Sequence, residues 1–382
     1  MKKYIIFILL CAAGRAGAQV QTPTVSLKDL AVPSSPAFVI TDITPTLVQN
    51  PATPKAFVLG VAQSYQQSGT GFPNNYSAEF TPYWWLKLHS RSVYNAQGIH
   101  RSKRDTTKWV TDPTAGLKYT SISTAFVNKD MIPDTAKTTQ KVFAVGIHAT
   151  LLKIYAKGYA QELGGSIADW HRAAQDEIDN NQKMLDALAK LGSDPKDSVE
   201  RKKIIAEFSQ KKTPGILENI NSLIARKPLF NLDIAGAYSA YGVTDQEART
   251  GRVGAWTTLS SYIPLSTQID NKNYFEISAS ARYLSDHFQK NDLDQIVRVD
   301  NTDIGGKAGF SFSQLSIGVE SLYRHTKGIS GGSVRTIGII NVKLAENLYI
   351  NGAFGKDFAG PNKLISAFGI NWGFGTEKVD LP

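Results

Sequence analysis

Segments of alternating polarity recur along most of this chain, and they restrict its fold more than any other feature. About twelve of them occur, each roughly ten residues long: 56–65, 76–88, 117–128, 141–155, 229–241, 253–264, 274–284, 296–310, 315–324, 334–344, 348–358 and 364–374. Successive side chains of a β-strand point to opposite faces, so this alternation predicts strands with two chemically different faces. Residues 157–227 switch to a helical period. We therefore predict an all-β fold, an antiparallel transmembrane barrel of about 12 strands with an α-helical insert.

The two faces of each predicted strand differ in a consistent way. In 364–374 the large apolar residues share one face and the small or polar residues share the other: Leu364, Phe368, Ile370, Trp372 and Phe374 against Ala367, Gly369, Asn371 and Gly373. Two further strands divide in the same way: Val319 and Tyr323 against Glu320 and Arg324, and Ile277, Ala281 and Tyr283 against Glu276 and Arg282. A membrane barrel turns its apolar face to lipid, whereas a soluble β-sandwich buries that face. The alternation by itself is compatible with both.

The N-terminus favours the membrane barrel. Lys2 and Lys3, the apolar run 4–13 and Ala16-Gly17-Ala18 match the three zones of a secretory signal peptide, and we predict cleavage after Ala18. Lipidation at Cys11 is an alternative, but the residue before it is larger than that reaction normally accepts. Aromatic residues near predicted strand ends support insertion into the outer membrane: Trp84, Trp85, Trp256 and Trp372.

Composition excludes several other classes of protein. The single cysteine excludes a disulfide scaffold and a CxxC-type metal cluster. The formal net charge of the 382 residues is +9, and loss of Lys2, Lys3 and Arg15 with the first 18 residues leaves +6. This excess is spread along the chain, so no nucleic-acid partner is expected.

The same patterns predict how the chain is divided. A signal peptide (1–18) precedes an extended, proline-rich strap (19–54). The first barrel strands (55–156) are followed by the helical insert (157–227), the remaining strands (228–375) and a C-terminal tail (376–382). Short connections near 312–314 and 345–347 are typical of the periplasmic side. Since successive strands of an antiparallel barrel run in opposite directions, counting strands back from these connections places the insert in the periplasm as well.

The insert is predicted to contain three helices. The first is capped by Ser166 and ends at Gly192, the second begins at Asp194-Pro195, and the third begins at Thr213-Pro214. Their apolar faces either pack on one another or leave a surface for a periplasmic protein. The candidate docking residues are Trp170, Ile178, Leu185, Leu217, Ile220 and Ile224.

Several motifs resemble those of uncharacterised outer-membrane β-barrel proteins of the Bacteroidota. They are Ser35-Pro36-Ala37-Phe38, Asp42-Ile43-Thr44-Pro45-Thr46, Pro51-Ala52-Thr53-Pro54-Lys55, Ala78-Glu79-Phe80-Thr81-Pro82-Tyr83-Trp84 and Ser121-Ile122-Ser123-Thr124-Ala125. The resemblance covers most of the mature chain and implies an outer-membrane location. Its motifs are structural and imply no particular activity. Outer-membrane barrels generally end on an aromatic residue, whereas here residues 375–382 extend past Phe374.

Motifs that would carry chemistry are weak. Gly328-Ile329-Ser330-Gly331-Gly332 matches the G-x-S-x-G pattern, but both flanks have strand patterns, which favours a hairpin loop over a nucleophile elbow. A hydrolase using Ser330 and His325 is the alternative. The six histidines form no H-x-x-x-H pair. We predict no enzyme activity, no cofactor and no metal site.

Ionisable residues on the inward faces form the candidate lumen lining: Glu79, Asp233, Glu276, Arg282, Glu320, Arg324, Arg335 and Lys343. They form either a salt-bridge network that stabilises and plugs the barrel, or a pore lining that selects solutes by charge. From the hydrated inward faces we predict a passive, porin-like channel for small polar solutes that contacts outer-membrane lipid. The alternative is a membrane anchor whose helical insert docks a periplasmic partner of an envelope or secretion complex.

Overall fold

A computed structural model describes residues 24–26, 35–48, 56–63, 75–84, 92–129, 140–190, 202–204, 213–242, 248–266, 272–290, 293, 295–345, 348–358, 364–374 and 378–381. The elements in chain order are β1 (Thr24–Ser26), α1 (Pro36–Val39), β2 (Ala56–Gln63), β3 (Asn75–Phe80), α2 (Val93–Gln97), β4 (Ile99–Arg101), β5 (Trp109–Thr111), β6 (Ser121–Lys129), β7 (Gln140–Ile154), α3 (Tyr159–Ala189), α4 (Thr213–Ile224), β8 (Phe230–Gly242), β9 (Arg249–Pro264), β10 (Tyr274–Lys290), β11 (Ile296–Ser311), β12 (Leu315–Thr326), β13 (Gly332–Ala345), β14 (Leu348–Lys356), β15 (Leu364–Phe374) and β16 (Lys378–Asp380). Two short 3-10 helices, Pro82–Trp84 and Ala115–Tyr119, lie between them.

Twelve of the strands form one closed antiparallel barrel, in the order β10-β11-β12-β13-β14-β15-β2-β3-β6-β7-β8-β9. The barrel closes between β15 and β2, where Phe374 pairs with Ala56 and Ala367 with Gln63. This confirms the predicted antiparallel barrel of about 12 strands. Within the described residues, no helix is both long and apolar enough to cross a bilayer.

Three predicted details around β3 and β6 are wrong. The strand predicted at 76–88 ends at Phe80, because Pro82 begins a 3-10 helix and cannot donate to a strand ladder. The strand predicted from residue 117 begins at Ser121, after the 3-10 helix Ala115–Tyr119. Between them, α2 and the β4–β5 hairpin were not predicted, since each is too short to produce a clear period.

The outer and inner walls have the predicted chemistry. On β12 the side chains of Val319 and Tyr323 are 54% and 48% exposed on the outside, whereas Glu320 is fully buried inside. Trp372 is also outward and exposed, but Trp256 points inward and is 4% exposed. Its expected place among outer aromatic residues is therefore wrong, because the lumen contains apolar chain against which it packs. Trp85 and the side chain of Trp84 lie outside the described residues.

Residues 35–48, here called the plug, fill the lumen. The segment begins with α1, which contacts β6, β7 and β8 from inside the barrel. The predicted strap is thus not extended throughout: Pro36 lies in the first turn of α1, where its fixed φ suits a helix start. The chain then turns at Asp42, whose φ is +57°.

Six large apolar side chains of the plug are at most 2% exposed: Phe38, Val39, Ile40, Ile43, Leu47 and Val48. They pack with inward residues of the wall that include Leu59, Val142, Leu284 and Phe288. The main apolar core of the barrel is therefore inside its lumen.

Successive barrel strands run in opposite directions. The β3–β6 and β7–β8 connections therefore lie at the end of the barrel where β2 begins and β15 ends. We call this the terminal end. There α2, the β4–β5 hairpin, α3, α4 and the β1–β16 pair form a compact terminal cap. The tight connections β11–β12 and β13–β14 lie at this end too, as the loop lengths predicted.

The helices of the cap depart from prediction at one boundary. α3 begins at Tyr159 after Gly158, not at Ser166, because Tyr159, Ala160 and Leu163 bury their side chains in the cap core. It ends at Ala189, near the predicted stop. The third predicted helix is confirmed as α4, which begins at Thr213. The second predicted helix falls almost entirely outside the described residues.

Candidate functional site

All eight candidate lumen residues lie on the inner wall, but they do not form one network. Glu79, Asp233, Arg282, Glu320 and Arg335 are buried. The other three are partly shielded: Glu276, Arg324 and Lys343. Seven of them separate into a cluster at the tip of the plug, a pair at its returning arm, a polar group between the plug and the terminal end, and a rim cluster at that end. The eighth, Lys343, lies apart from these groups with its Nζ 5.5 Å from the ring centre of Tyr349.

The tip cluster surrounds the carboxylate of Asp42. Its Oδ1 lies 2.8 Å from Nη2 of Arg282, and its Oδ2 lies 3.2 Å from Nη2 of Arg324 and 3.4 Å from Nη1 of Arg252. Two wall carboxylates complete the cluster. Asp303 contacts Arg282 at 2.6 Å and Arg324 at 2.7 Å, and Asp286 contacts Arg252 at 2.9 Å. Three positive and three negative groups thus neutralise one another in the barrel interior.

Four residues of this cluster were not predicted from the sequence: Asp42, Arg252, Asp286 and Asp303. The signal that would have found the last three is strand register, since Arg282 and Arg324 both stand opposite Asp303, and Arg252 stands opposite Asp286. No such signal exists for Asp42, because nothing in the strand pattern indicates that the strap enters the lumen.

The arginines also bind the backbone of the plug. Arg282 donates from Nη1 to the carbonyl of Val39 at 3.1 Å, and Arg252 donates from Nη1 to the carbonyl of Ile40 at 3.2 Å. Arg335 donates from Nη2 to the carbonyl of Pro45 at 3.3 Å. Guanidinium groups present several donors in a fixed fork, so one arginine can hold both a carboxylate and a carbonyl.

Glu320 holds the returning arm of the plug. Its Oε2 accepts hydrogen bonds from the backbone N–H of Leu47 at 3.1 Å and of Val48 at 2.9 Å, and the hydroxyl of Thr46 donates to it as well. On its other side Oε1 lies 3.6 Å from Nε of Arg335, and both side chains are fully buried. Fixed donors and acceptors on the wall therefore bind the plug on both arms.

The polar group between the plug and the terminal end comprises Glu79, His148, Thr150 and Asp233. His148 Nε2 lies 3.3 Å from Oδ1 of Asp233, and Thr150 donates to the same oxygen at 2.5 Å. Glu79 accepts a hydrogen bond from Ser121. The histidine and Asp233 are about 1% exposed, so solvent does not reach them. The group contains the residue types of a proton relay, but its contacts join β3 to β6 and, separately, β7 to β8.

The rim cluster joins the cap to the barrel. Lys227 follows α4, and its Nζ lies 4.6 Å from the ring centre of Tyr262 and donates to Oγ of Ser311 at 3.2 Å. Nearby, Lys307 and Glu276 form a 2.7 Å ion pair. Burial lowers the pKa of Lys227 to about 8, although the charge of Glu276 opposes that shift. The amine therefore titrates close to physiological pH.

The six candidate docking residues have different environments. Trp170, Ile220 and Ile224 are at most 6% exposed and form the cap core, with Leu217 packed beside them. Only Ile178 and Leu185, on the distal half of α3, are exposed, at 61% and 55%. Aromatic stacking closes the base of the cap: Tyr155 lies on Tyr159 with ring centres 4.0 Å apart, and burial raises the pKa of Tyr155 to about 12.

Two other motifs have structural explanations. The G-x-S-x-G segment lies in the turn between β12 and β13, where Gly328 and Gly331 adopt φ of +85° and +87°. A strand–turn–strand arrangement differs from the strand–turn–helix of a nucleophile elbow. In the described part of the chain, no group of three His, Cys, Asp or Glu side chains is placed to hold a metal ion.

Comparison with protein-family models finds no match, and comparison with curated protein sequences finds none either. Among solved structures, the NanC porin is similar at 9% identity and a TM-score of 0.34, over 84% of this chain and 99% of that one. The outer membrane protein Omp33 of Acinetobacter baumannii is similar at 10% identity and 0.31, over 85% and 100% of the two chains. The transport unit of the autotransporter AIDA-I from Escherichia coli is similar at 11% and 0.30, over 89% and 100%. The barrel assignment rests on the strand pairing of this chain.

Proposed function

We propose that this chain is an outer-membrane barrel closed by its own N-terminal segment, and that it anchors the terminal cap at the periplasmic face. The outer wall supports the membrane location, because large apolar side chains are exposed on the ten barrel strands from β6 to β15. They include Phe126, Ile147, Ile234, Leu259, Ile277, Ile304, Val319, Ile340, Phe354 and Trp372. A soluble protein rarely exposes so much apolar surface, whereas a barrel in lipid requires it.

The buried plug is the observation that most directly supports a closed barrel. Burying each large apolar side chain contributes about 1.5–3 kcal/mol, and six of them lie in the lumen. The arginine and Glu320 contacts would also have to break for the plug to leave. If the lumen opened as a passive pore, the plug would have to leave and the main apolar core of the molecule would be lost.

The attachment of the cap to the barrel supports an anchoring role. The cap is built from two connections between barrel strands and from the β1–β16 pair, and Leu381 from the end of the chain is buried in its core. Ile178 and Leu185 are left exposed on the distal half of α3. A periplasmic protein of an envelope complex is the partner that this surface would bind.

Bilayer recordings test the closure. Folded wild-type protein, identified by its heat-modifiable migration on gels, should show no steady conductance in a planar bilayer. A stable single-channel conductance would refute the closed barrel. For the anchor, a photo-crosslinker placed at position 178 in cells should give one defined adduct that is lost with Leu185→Asp. A crosslinker at Lys183, one position on another face of the helix, is the control.

A passive channel for small polar solutes is the second candidate. The observation that favours it is the polar inner wall, where six hydroxyl, amide and carboxylate side chains point inward: Asn231, Asp233, Thr258, Ser260, Ser278 and Ser280. If the plug leaves the lumen in the membrane, folded wild-type protein should conduct, and replacing residues 35–48 with a Gly/Ser segment of equal length should raise that conductance. Silence from a folded variant would remove this candidate.

A further inference from the structure

We propose that the inner wall of the barrel is a binding site for an apolar peptide that carries a single carboxylate. Asp42 anchors the plug there as a tethered ligand, and the same wall binds a separate peptide of that chemistry when the plug is not seated. Such a site goes beyond closure of the barrel, and it depends neither on the membrane location nor on a partner for the cap.

The wall carries one unbalanced positive charge at the tip of the plug, and a single carboxylate neutralises it. At the tip of the plug the wall contributes three guanidinium groups, from Arg252, Arg282 and Arg324, but only two carboxylates, from Asp286 and Asp303. Asp42 supplies the missing negative charge, and both of its oxygens face arginine nitrogens. A planar carboxylate held from both oxygens is the ligand that such an arginine arrangement recognises best.

The remaining contacts recognise a peptide backbone. Arg282, Arg252 and Arg335 donate to the carbonyls of Val39, Ile40 and Pro45. Glu320 accepts from two consecutive N–H groups, and Ser123 accepts from the N–H of Ala37 at 3.1 Å. Backbone groups occur in every peptide, so these contacts select the class of ligand and not its sequence.

The apolar part of the wall determines which other side chains the ligand carries. Phe38 and Ile40 on one arm and Leu47 and Val48 on the other are buried against wall side chains. From the tip at Asp42, the described parts of both arms run back toward the terminal end, one past Ser123 and the other past Glu320. The ligand class is therefore an apolar peptide that enters from the terminal end as a hairpin, with a single carboxylate at its turn.

Asp42→Gly tests the carboxylate site in the full chain. Glycine adopts the φ of +57° found at Asp42 without strain, so the variant removes the carboxylate and keeps the turn. We expect its unfolding temperature to fall and then to rise again in acetate, compared with chloride at equal ionic strength. Wild-type protein and Asp105→Gly, which removes an exposed carboxylate, should respond equally to the two salts. An equal response of Asp42→Gly to both salts would overturn the carboxylate site.

A peptide added in trans tests the class of ligand. A barrel with residues 35–48 replaced by Gly/Ser should bind a labelled peptide of residues 35–48 saturably. The same peptide with Asp42→Asn should bind about tenfold more weakly or worse, because the amide removes the negative charge that faces three arginines. A peptide with its apolar residues permuted around Asp42 should bind within a few-fold. Equal binding of the Asn peptide, or no saturable binding to a folded barrel, would contradict the proposal. If the replaced barrel does not fold, the acetate experiment decides alone.

Discussion

The indole ring of Trp109 lies directly on Gly164 of α3. A Cβ atom at position 164 would overlap Cγ and Cδ2 of the ring, so only glycine permits this approach. The backbone N–H of Trp109 also donates to Oε1 of Gln161, one turn earlier on the helix, at 3.0 Å. Arg101 and Tyr94 also stack on the indole, with Arg101 4.0 Å and the Tyr94 ring 4.8 Å from the ring centre. The β4–β5 hairpin is thereby fixed to α3.

Gly164→Ala should therefore release the hairpin, whereas Gly165→Ala should not. A Cβ atom at position 165 would meet no heavy atom within 4 Å, so alanine there only improves helix propensity. We expect Gly164→Ala to destabilise the cap by about 1–3 kcal/mol through overpacking. Gly165→Ala should stabilise it by about 0.5–1 kcal/mol. Hydrogen exchange of β4 and β5 measures both effects, and equal exchange in the two variants would contradict a role for the contact between Trp109 and Gly164.

Leu381 provides a comparable test at the chain end. It is 1% exposed and packs in the same core as Ile220 and Leu223, whereas Ile178 on the distal half of α3 is 61% exposed. Leu381→Ala should destabilise the cap by about 2–5 kcal/mol, because it leaves a cavity. Ile178→Ala should have almost no effect on stability. Protease susceptibility of α3 and α4 reports on the cap, and gel migration reports on the barrel, which both variants should leave intact.

The strands, and the division of their side chains between the outer and inner faces of the barrel, could be predicted from the sequence. Both depend on the alternation of polarity between neighbouring residues. Val319 and Glu320 differ in polarity and stand next to each other, so their opposite faces follow from the strand itself. The helix α4 is predictable for the same reason, since Thr213-Pro214 marks its start.

The contents of the lumen could not be predicted in this way. Asp42 meets Arg324 across 282 positions of sequence, and no local pattern links a proline-rich strap to the inside of a barrel. Trp256 was misplaced for the same reason, because its inward position makes sense only once the plug is present. The start of α3 depends likewise on contacts of Tyr159 and Leu163 within the cap.

Glu320→Gln should loosen the returning arm of the plug. The carboxylate binds the N–H groups of Leu47 and Val48 and faces Arg335, and an amide would leave that arginine buried without a counter-charge at Glu320. Arg335 keeps a second carboxylate, Asp357, at 3.5 Å, so we expect a loss of about 1–3 kcal/mol, as for weakened hydrogen bonds to a buried charged group. Glu218→Gln, at an exposed position of α4, is the matched control and should be neutral. Urea titration of the detergent-solubilised protein gives both values, and similar midpoints for the two variants would contradict the role assigned to Glu320.

Lys227 should make the junction of cap and barrel sensitive to pH. Its pKa is lowered by burial to about 8, below the ordinary value of 10.5. Between these values the unfolded chain binds a proton that the folded chain does not bind, so stability rises as pH increases from about 8 to 10.5. Lys227→Met removes this dependence, because it has no group to titrate. The variant should be more stable than wild type at pH 7, and the difference should shrink progressively by pH 10. Thermal unfolding at both pH values measures it, with Lys183→Met on the exposed part of α3 as the control. A difference that is constant across this range would show that Lys227 is not held in its neutral form by burial at the rim.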